Sequence, residues 1–297
     1  MIGSRSASSW LSLLLSGSAL LAGCDMVVLH PSGDVAAQQS HLIVVSTLLM
    51  LLIIVPVIAL TLLFAWRYRE SNIAARYTPE WGHSVQLELL IWAAPLLIII
   101  LLGALTWIGT HTLDPYRPLT RIDALRPLPG GAEPLVVEVV ALDWKWLFIY
   151  PELGTASVNH LVVPVGTPIS FELTSATVMN SFFVPQLGSQ IYTMSGMTTH
   201  LQLQADYPGS YPGLSANFSG DGFADMRFTV EAVPADAFAQ WVSTTRNTGP
   251  VLDATAYADL AKPSQAVAPV SFGSVAPGLF TDILSAGMSP GSHSHTH

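Results

Sequence analysis

Cysteine is almost missing from this chain. Its 297 residues include one, Cys24, so no intrachain disulfide can form. Charge is scarce as well: Asp, Glu, Lys and Arg make up 10% of the residues, against 51% hydrophobic ones. That balance is too apolar for an ordinary soluble protein and points to membrane spans. The 11 Lys and Arg residues are scattered and the net charge is -9. No surface that neutralises phosphates is on offer, which excludes nucleic acid as a partner. Internal repeats are absent too.

At the N-terminus a lone Arg5 precedes an uncharged run from Trp10 to Leu20, followed by Leu21-Ala22-Gly23-Cys24. Residues 1–23 read as an export signal. A cysteine directly after Leu-Ala-Gly resembles the lipobox of bacterial lipoproteins, which implies a diacylglyceryl group on Cys24 and attachment to membrane lipid. The plainer alternative is an incidental thiol. Asp25 resembles the residue that retains such lipoproteins at the inner membrane.

No charged residue occurs from Leu42 to Trp66 or from Leu89 to Thr110. Each run is long enough for a helix to cross a hydrocarbon core of about 30 Å. The expected division is a periplasmic segment at 24–41, transmembrane helices at 42–66 and 88–110, and a cytoplasmic loop at 67–87. Pro56 and Pro95 interrupt the runs, which a bilayer tolerates. Arg67, Arg69 and Arg76 put the loop in the cytoplasm. Arg117, Arg121 and Arg126 argue the other way, but they precede a long domain, where the charge rule is weak. The lipobox sets the N-terminus outside.

After a linker at 111–134 the pattern changes to short alternating runs: Leu135 to Leu142, Trp144 to Tyr150, His160 to Val163, Ile169 to Thr174, Leu201 to Ala205 and Met226 to Val230. Turn segments such as Pro164-Val165-Gly166-Thr167-Pro168 separate them, so residues 135–233 read as an all-β sandwich. Beyond Pro234 the periodicity becomes helical. Residues 234–286 are expected to form a helical extension, with a histidine-containing tail at 287–297. The fold class is a membrane-anchored α+β protein: a two-helix hairpin plus a β-sandwich with a helical appendage.

Four stretches resemble subunit II of the haem-copper respiratory oxidases. They are His83-Ser84-Val85-Gln86-Leu87-Glu88, Asp143-Trp144-Lys145-Trp146-Leu147-Phe148-Ile149-Tyr150-Pro151, Val178-Met179-Asn180-Ser181-Phe182-Phe183-Val184-Pro185 and Gly213-Leu214-Ser215-Ala216-Asn217-Phe218-Ser219-Gly220. In the cytochrome c oxidising branch, a His in the third stretch and a C-x-E-x-C-x-x-x-H-x-x-M run from the fourth bind a dinuclear copper centre. Here those positions read Asn180, Ser215, Asn217, Ser219, Phe223 and Met226. A mixed-valence copper pair needs bridging thiolates. Serine stays protonated near neutral pH and phenylalanine has no lone pair, so Met226 alone keeps a ligand type. A core role for Met226, alternating with Phe228 and Val230, is the simpler reading.

This pattern resembles the cytochrome bo type of ubiquinol oxidase. The resemblance implies a cupredoxin-like domain without copper, no cofactor in this chain, and both haems and the oxygen-site copper in subunit I. It also implies quinol handled by the complex, no cytochrome c partner, contacts with subunit I and further membrane subunits, and an inner-membrane location with the C-terminal domain in the periplasm. The rivals are a cytochrome c oxidase subunit and a stand-alone membrane lipoprotein with a cupredoxin-like binding domain.

Glu88, at the cytoplasmic start of the second span, is a functional candidate, since ionisable groups there are costly. The resemblance implies that it marks the mouth of a proton channel into subunit I, which makes it the proton-uptake candidate. The plainer reading is a first-turn acid stabilised by the helix dipole. Trp144, Trp146, Phe148 and Tyr150 are expected on one strand face, as core or subunit-interface packing. His293, His295 and His297 suit a disordered tail better than a metal site.

Overall fold

The two uncharged runs become the first two helices of the computed structural model, which describes residues 26–76, 78–119, 121, 127 and 133–288. The lipobox with Cys24 and Asp25, together with Arg126 and the histidine tail, lies outside those residues. Helices α1 (Asp34–Arg67) and α2 (Val85–Thr112) are long and apolar enough to cross a membrane. Both helices contain the expected spans and run beyond them. The 34 residues of α1 span about 50 Å at 1.5 Å per residue, more than a bilayer core requires. Its first turns leave the apolar run and bury Asp34, Val35 and Ala36 against the β-domain. Helix α2 likewise begins before residue 88 and runs on to Thr112, so the linker starts later than expected. Both prolines lie inside their helices.

The β-domain grips this hairpin at two points. Ser32 donates its N–H to the Gln186 carbonyl at 2.8 Å, Ala36 donates to the Leu187 carbonyl at 3.2 Å, and Asp206 donates to the Ser32 carbonyl at 2.8 Å. Gly188 has φ +124°, and a Cβ on it would stand 2.7 Å from Val35 Cγ1, so glycine is required twice over at this position. Asp34, 5% exposed, accepts from Arg121 Nε at 2.9 Å and from Gln38 Nε2 at 2.7 Å. After α2, Gln202 donates its N–H to the Pro115 carbonyl at 3.1 Å, and Tyr116 meets His200 edge-on at 5.4 Å.

The domain's strands are β1 (Leu135–Leu142), β2 (Lys145–Tyr150), β3 (Thr155–Val158), β4 (His160–Pro164), β5 (Ile169–Ser175), β6 (Asn180–Val184), β7 (Gly188–Thr193), β8 (Thr199–Leu203), β9 (Gly209–Ser215) and β10 (Arg227–Val233). Behind them come α3 (Ala235–Thr248), β11 (Val251–Leu252), α4 (Ala254–Leu260), β12 (Val270–Phe272), β13 (Ser274–Val275) and α5 (Leu279–Met288). One sheet runs β12-β3-β2-β1-β5-β8 and the other β4-β10-β9-β6-β7. Between them Phe182 stacks on Phe228 with ring centroids 4.9 Å apart, and Trp146 and Phe171 each meet Phe182 at 5.3 Å. These rings pack closely at the centre of a core otherwise filled mainly by Leu, Val, Ile and Ala.

The aromatic strand differs from expectation at its first residue. Trp146, Phe148 and Tyr150 point into the inter-sheet core, fully buried, whereas Trp144 sits in the β1–β2 turn with φ +63°. A two-residue hairpin requires left-handed backbone, and Trp144 supplies it. Because Leu147 and Ile149 are also buried, under the C-terminal extension, β2 is covered on both faces.

That extension is more than helical. Strand β12 pairs antiparallel with β3, Val270 opposite Val158, and so joins the main sheet. Two polar clamps hold the segment before it. The buried Lys145 ammonium donates to the Lys262 carbonyl at 2.8 Å and to Ser264 Oγ at 2.6 Å. Asn159 accepts the Trp146 N–H at 2.8 Å through Oδ1 and donates to the Val267 carbonyl at 2.9 Å through Nδ2. Burial pushes the Lys145 ammonium below its usual range, with the Asp143 charge opposing.

On the outer face of the same sheet, Glu138 and Glu172 stand directly opposite each other on parallel β1 and β5. Burial, and then the Glu172 charge, push the Glu138 carboxyl up to about 7. The folded state therefore holds a proton that the unfolded chain has released between pH 4.5 and about 7, so stability falls as pH rises through that window. The melting temperature of the purified chain in detergent should decline across it. Glu138→Gln should flatten the decline, and an unaltered slope in that variant would refute the assignment.

Candidate functional site

The family resemblance singles out six positions, and the fold brings them to one end of the sandwich. Strand β6 starts with Asn180, β9 ends with Ser215, and the chain then loops through Asn217 and Ser219 to a short 3-10 turn, Phe223–Asp225, before Met226 leads into β10. Ladder bonds fix the frame: Ala216 donates its N–H to the Ser181 carbonyl at 2.9 Å, and Ser215 donates to the Met226 carbonyl at 3.1 Å.

Asn180, Ser215 and Met226 are buried. The Ser215 hydroxyl lies 3.1 Å from Asn180 Oδ1 and 3.3 Å from the Asn217 carbonyl, its one proton serving either. Asn180 Nδ2 donates to the Val178 carbonyl at 3.1 Å, and Asn217 Nδ2 donates to the Met179 carbonyl at 3.2 Å, tying the two loops together. Ser219 Oγ lies 3.9 Å from Met226 Sδ. The Phe223 ring sits edge-on to Phe218 at 5.6 Å. Amide, hydroxyl and thioether groups thus satisfy one another where a metal pair would need thiolates and imidazoles, so this donor set does not fit a dinuclear copper centre. Among the described residues, no group of three or more His, Cys, Asp or Glu stands together as a metal site.

One contact escaped the sequence reading. Trp144 Nε1 donates to the Ser219 carbonyl at 3.0 Å, and the indole lies so close over Gly222 that a Cβ there would be 2.4 Å from it. The hint in the sequence was the Gly220-Asp221-Gly222 step in the same loop. Trp144 therefore closes the loop of the six positions from outside.

The second candidate lies at the far end of the membrane hairpin, apart from these six. Glu88 is in the first turn of α2, its N–H donating to the Ser84 carbonyl at 2.9 Å. His83, just before the helix, folds back to place Nδ1 2.5 Å from Glu88 Oε1, both side chains more than half exposed. The remaining described histidines are dispersed, with His160 paired to Glu231 at 2.8 Å.

Comparison with known proteins agrees with this architecture. The family model described as "Cytochrome C oxidase subunit II, periplasmic domain" matches residues 152–233, and "COX Aromatic Rich Motif" matches residues 246–291. Over 275 residues the chain is 48% identical to the cytochrome bo(3) ubiquinol oxidase subunit 2 of Pseudomonas aeruginosa, covering 93% of this chain and 80% of that relative. The ubiquinol oxidase subunit 2 of Acetobacter aceti is 50% identical over 271 residues, covering 91% and 85%. The quinol oxidase subunit 2 of Bacillus cereus is 42% identical over 256 residues, covering 85% and 84%. With the membrane hairpin, the sandwich and the aromatic-rich extension all present in one chain, this protein belongs to the subunit 2 family of the ubiquinol oxidases.

Proposed function

We propose that this chain serves its oxidase as a copper-free scaffold. As a member of the subunit 2 family it is a membrane-anchored component of an oxidoreductase complex and partners the other oxidase subunits. In the proposed division of labour it binds no redox cofactor. Haems and copper reside in subunit I, where quinol is oxidised, oxygen is reduced to water and protons are pumped.

The observation that carries this reading is the donor set at Asn180, Ser215, Asn217, Ser219, Phe223 and Met226. A centre that passes single electrons between two coppers needs sulfur bridges to share the unpaired electron. The Ser215 hydroxyl, a protonated hard oxygen, cannot supply that bridge. Without the centre, a soluble cytochrome c has no acceptor in this domain, and the donor is the membrane quinol. Metal analysis of the purified complex should find copper equal to that of subunit I alone. A purple chromophore appearing when copper is added to the chain would sink the reading.

Two further roles belong to this proposal. Cys24 carries a diacylglyceryl anchor after removal of residues 1–23, which holds the N-terminus in the periplasmic leaflet of the inner membrane. Glu88, at the cytoplasmic end of α2, is the uptake point for protons travelling into subunit I. The Glu88 carboxylate reaches water and an imidazole partner at once, which suits a group that collects protons from the aqueous phase.

A further inference from the structure

Where the two membrane helices meet the β-domain, the surface opens into two cavities that share Gln38, Thr112 and Leu113. The upper one, about 180 Å³, is edged by Asp34, Asp114, Arg117 and Arg121 and by Ser189 and Gln202 of the β-domain. The lower one, about 200 Å³, runs between α1 and α2 along Leu42, Leu105, Ile108 and Gly109. A Cβ on Gly109 would come within 3.0 Å of Leu42 Cδ1, so the helices converge at the floor of this groove. One continuous cleft therefore changes from charged to apolar within two helical turns. Trp107, exposed on α2 with its ring tilted against His111 at 4.4 Å, marks that level as the membrane surface.

We infer that this cleft holds one glycerophospholipid of the leaflet facing the β-domain, its phosphodiester at Arg117 and one acyl chain in the groove between α1 and α2. Charge decides the occupant. Asp34 and Arg121 cancel each other as an ion pair, with Gln38 donating to the same carboxylate, and Asp114 Oδ1 accepts the Tyr116 N–H at 2.9 Å. Arg117 Nη1 reaches the His111 carbonyl only at 3.5 Å, the outer limit of a hydrogen bond, and a phosphate oxygen is a far stronger acceptor for it. A quinol would bring two uncharged hydroxyls to the Arg117 guanidinium. A free anion would leave the apolar half of the cleft unfilled.

The test uses the assembled oxidase, purified in mild detergent, with retained lipid counted by native mass spectrometry and organic phosphorus assay. Arg117→Glu should lower retention of one phospholipid about tenfold, equivalent to about 1.4 kcal/mol. Arg117→Lys should restore it. Leu105→Trp, which fills the groove without touching the charges, should lower it as well and serves if Arg117→Glu does not assemble by its haem spectrum. Equal retention in wild type, Arg117→Glu and Leu105→Trp would overturn the inference. So would a quinone in place of the phospholipid, or an occupant that is lost in Cys24→Ser but indifferent to Arg117, since the chain's own anchor would then fill the groove. In delipidated oxidase, inorganic phosphate should bind too weakly to block phospholipid uptake. Complete blocking would reduce the cleft to an anion site and overturn the lipid assignment.

Discussion

Phe182→Ala should destabilise the β-domain by about 3–5 kcal/mol, the range for truncating a large aromatic in a core. The ring is fully buried, stacked on Phe228 and touched edge-on by Trp146 at 5.3 Å and Phe148 at 6.4 Å. It joins both sheets, so the surrounding rings cannot collapse into the space it leaves. Phe182→Leu keeps most of the volume and should cost under about 1.5 kcal/mol. Denaturant unfolding of the purified chain, followed by tryptophan fluorescence, checks both. A loss below about 1 kcal/mol for the alanine variant, the ordinary effect of a point substitution, would mean that this cluster is not the centre of the fold. The effect should also reach the site, because Phe182 pairs with Ser215 across β6 and β9.

Replacing Glu88 is the test with the largest effect on activity. In the assembled oxidase, Glu88→Gln should reduce quinol-driven oxygen consumption about tenfold, equivalent to about 1.4 kcal/mol on the slowest barrier. Glu88→Asp should restore much of it. The substitution removes a proton acceptor and keeps the shape of the first helical turn, while haem content and subunit stoichiometry report separately on assembly. Unchanged turnover and pumping would leave Glu88 as a first-turn acid with no role beyond stabilising its helix. The copper-free reading would survive that result, since it rests on residues of the β-domain, far from Glu88.

Much of this architecture was legible because the patterns were strong. Two uncharged runs can hardly be anything but spans, and the alternation in β1 and β5 shows in their burial. What stayed hidden had a physical reason in each case. Strand β9 contains Gly209, Pro212 and Gly213 and reads as a turn, yet Gly213 is extended because the Phe228 ring occupies the place of its side chain. The small residues of β3 are buried on both faces, which erases alternation. Tertiary contact overrode propensity at Trp144, a strand former placed in a turn by its bond to Ser219. The helix start at Asp34 was invisible because it depends on Gln186 and Leu187, far along the chain. The six site positions were readable from the family resemblance, but their mutual hydrogen bonding needed coordinates.

The place of β12 at the edge of the six-stranded sheet has a consequence for how the protein is made. A ribosome completes β1 through β10 before the residues that cover β3 exist. Until Val270 to Phe272 arrives, the nascent domain presents the bare backbone of β3 to its neighbours, the arrangement that invites strands of other chains to pair. Lys145 must likewise stay in water until the carbonyl of Lys262 has been synthesised. The last quarter of the sequence is thus the step that turns an aggregation-prone intermediate into a closed domain. A chain that loses it through a nonsense mutation should be cleared by proteolysis rather than assembled.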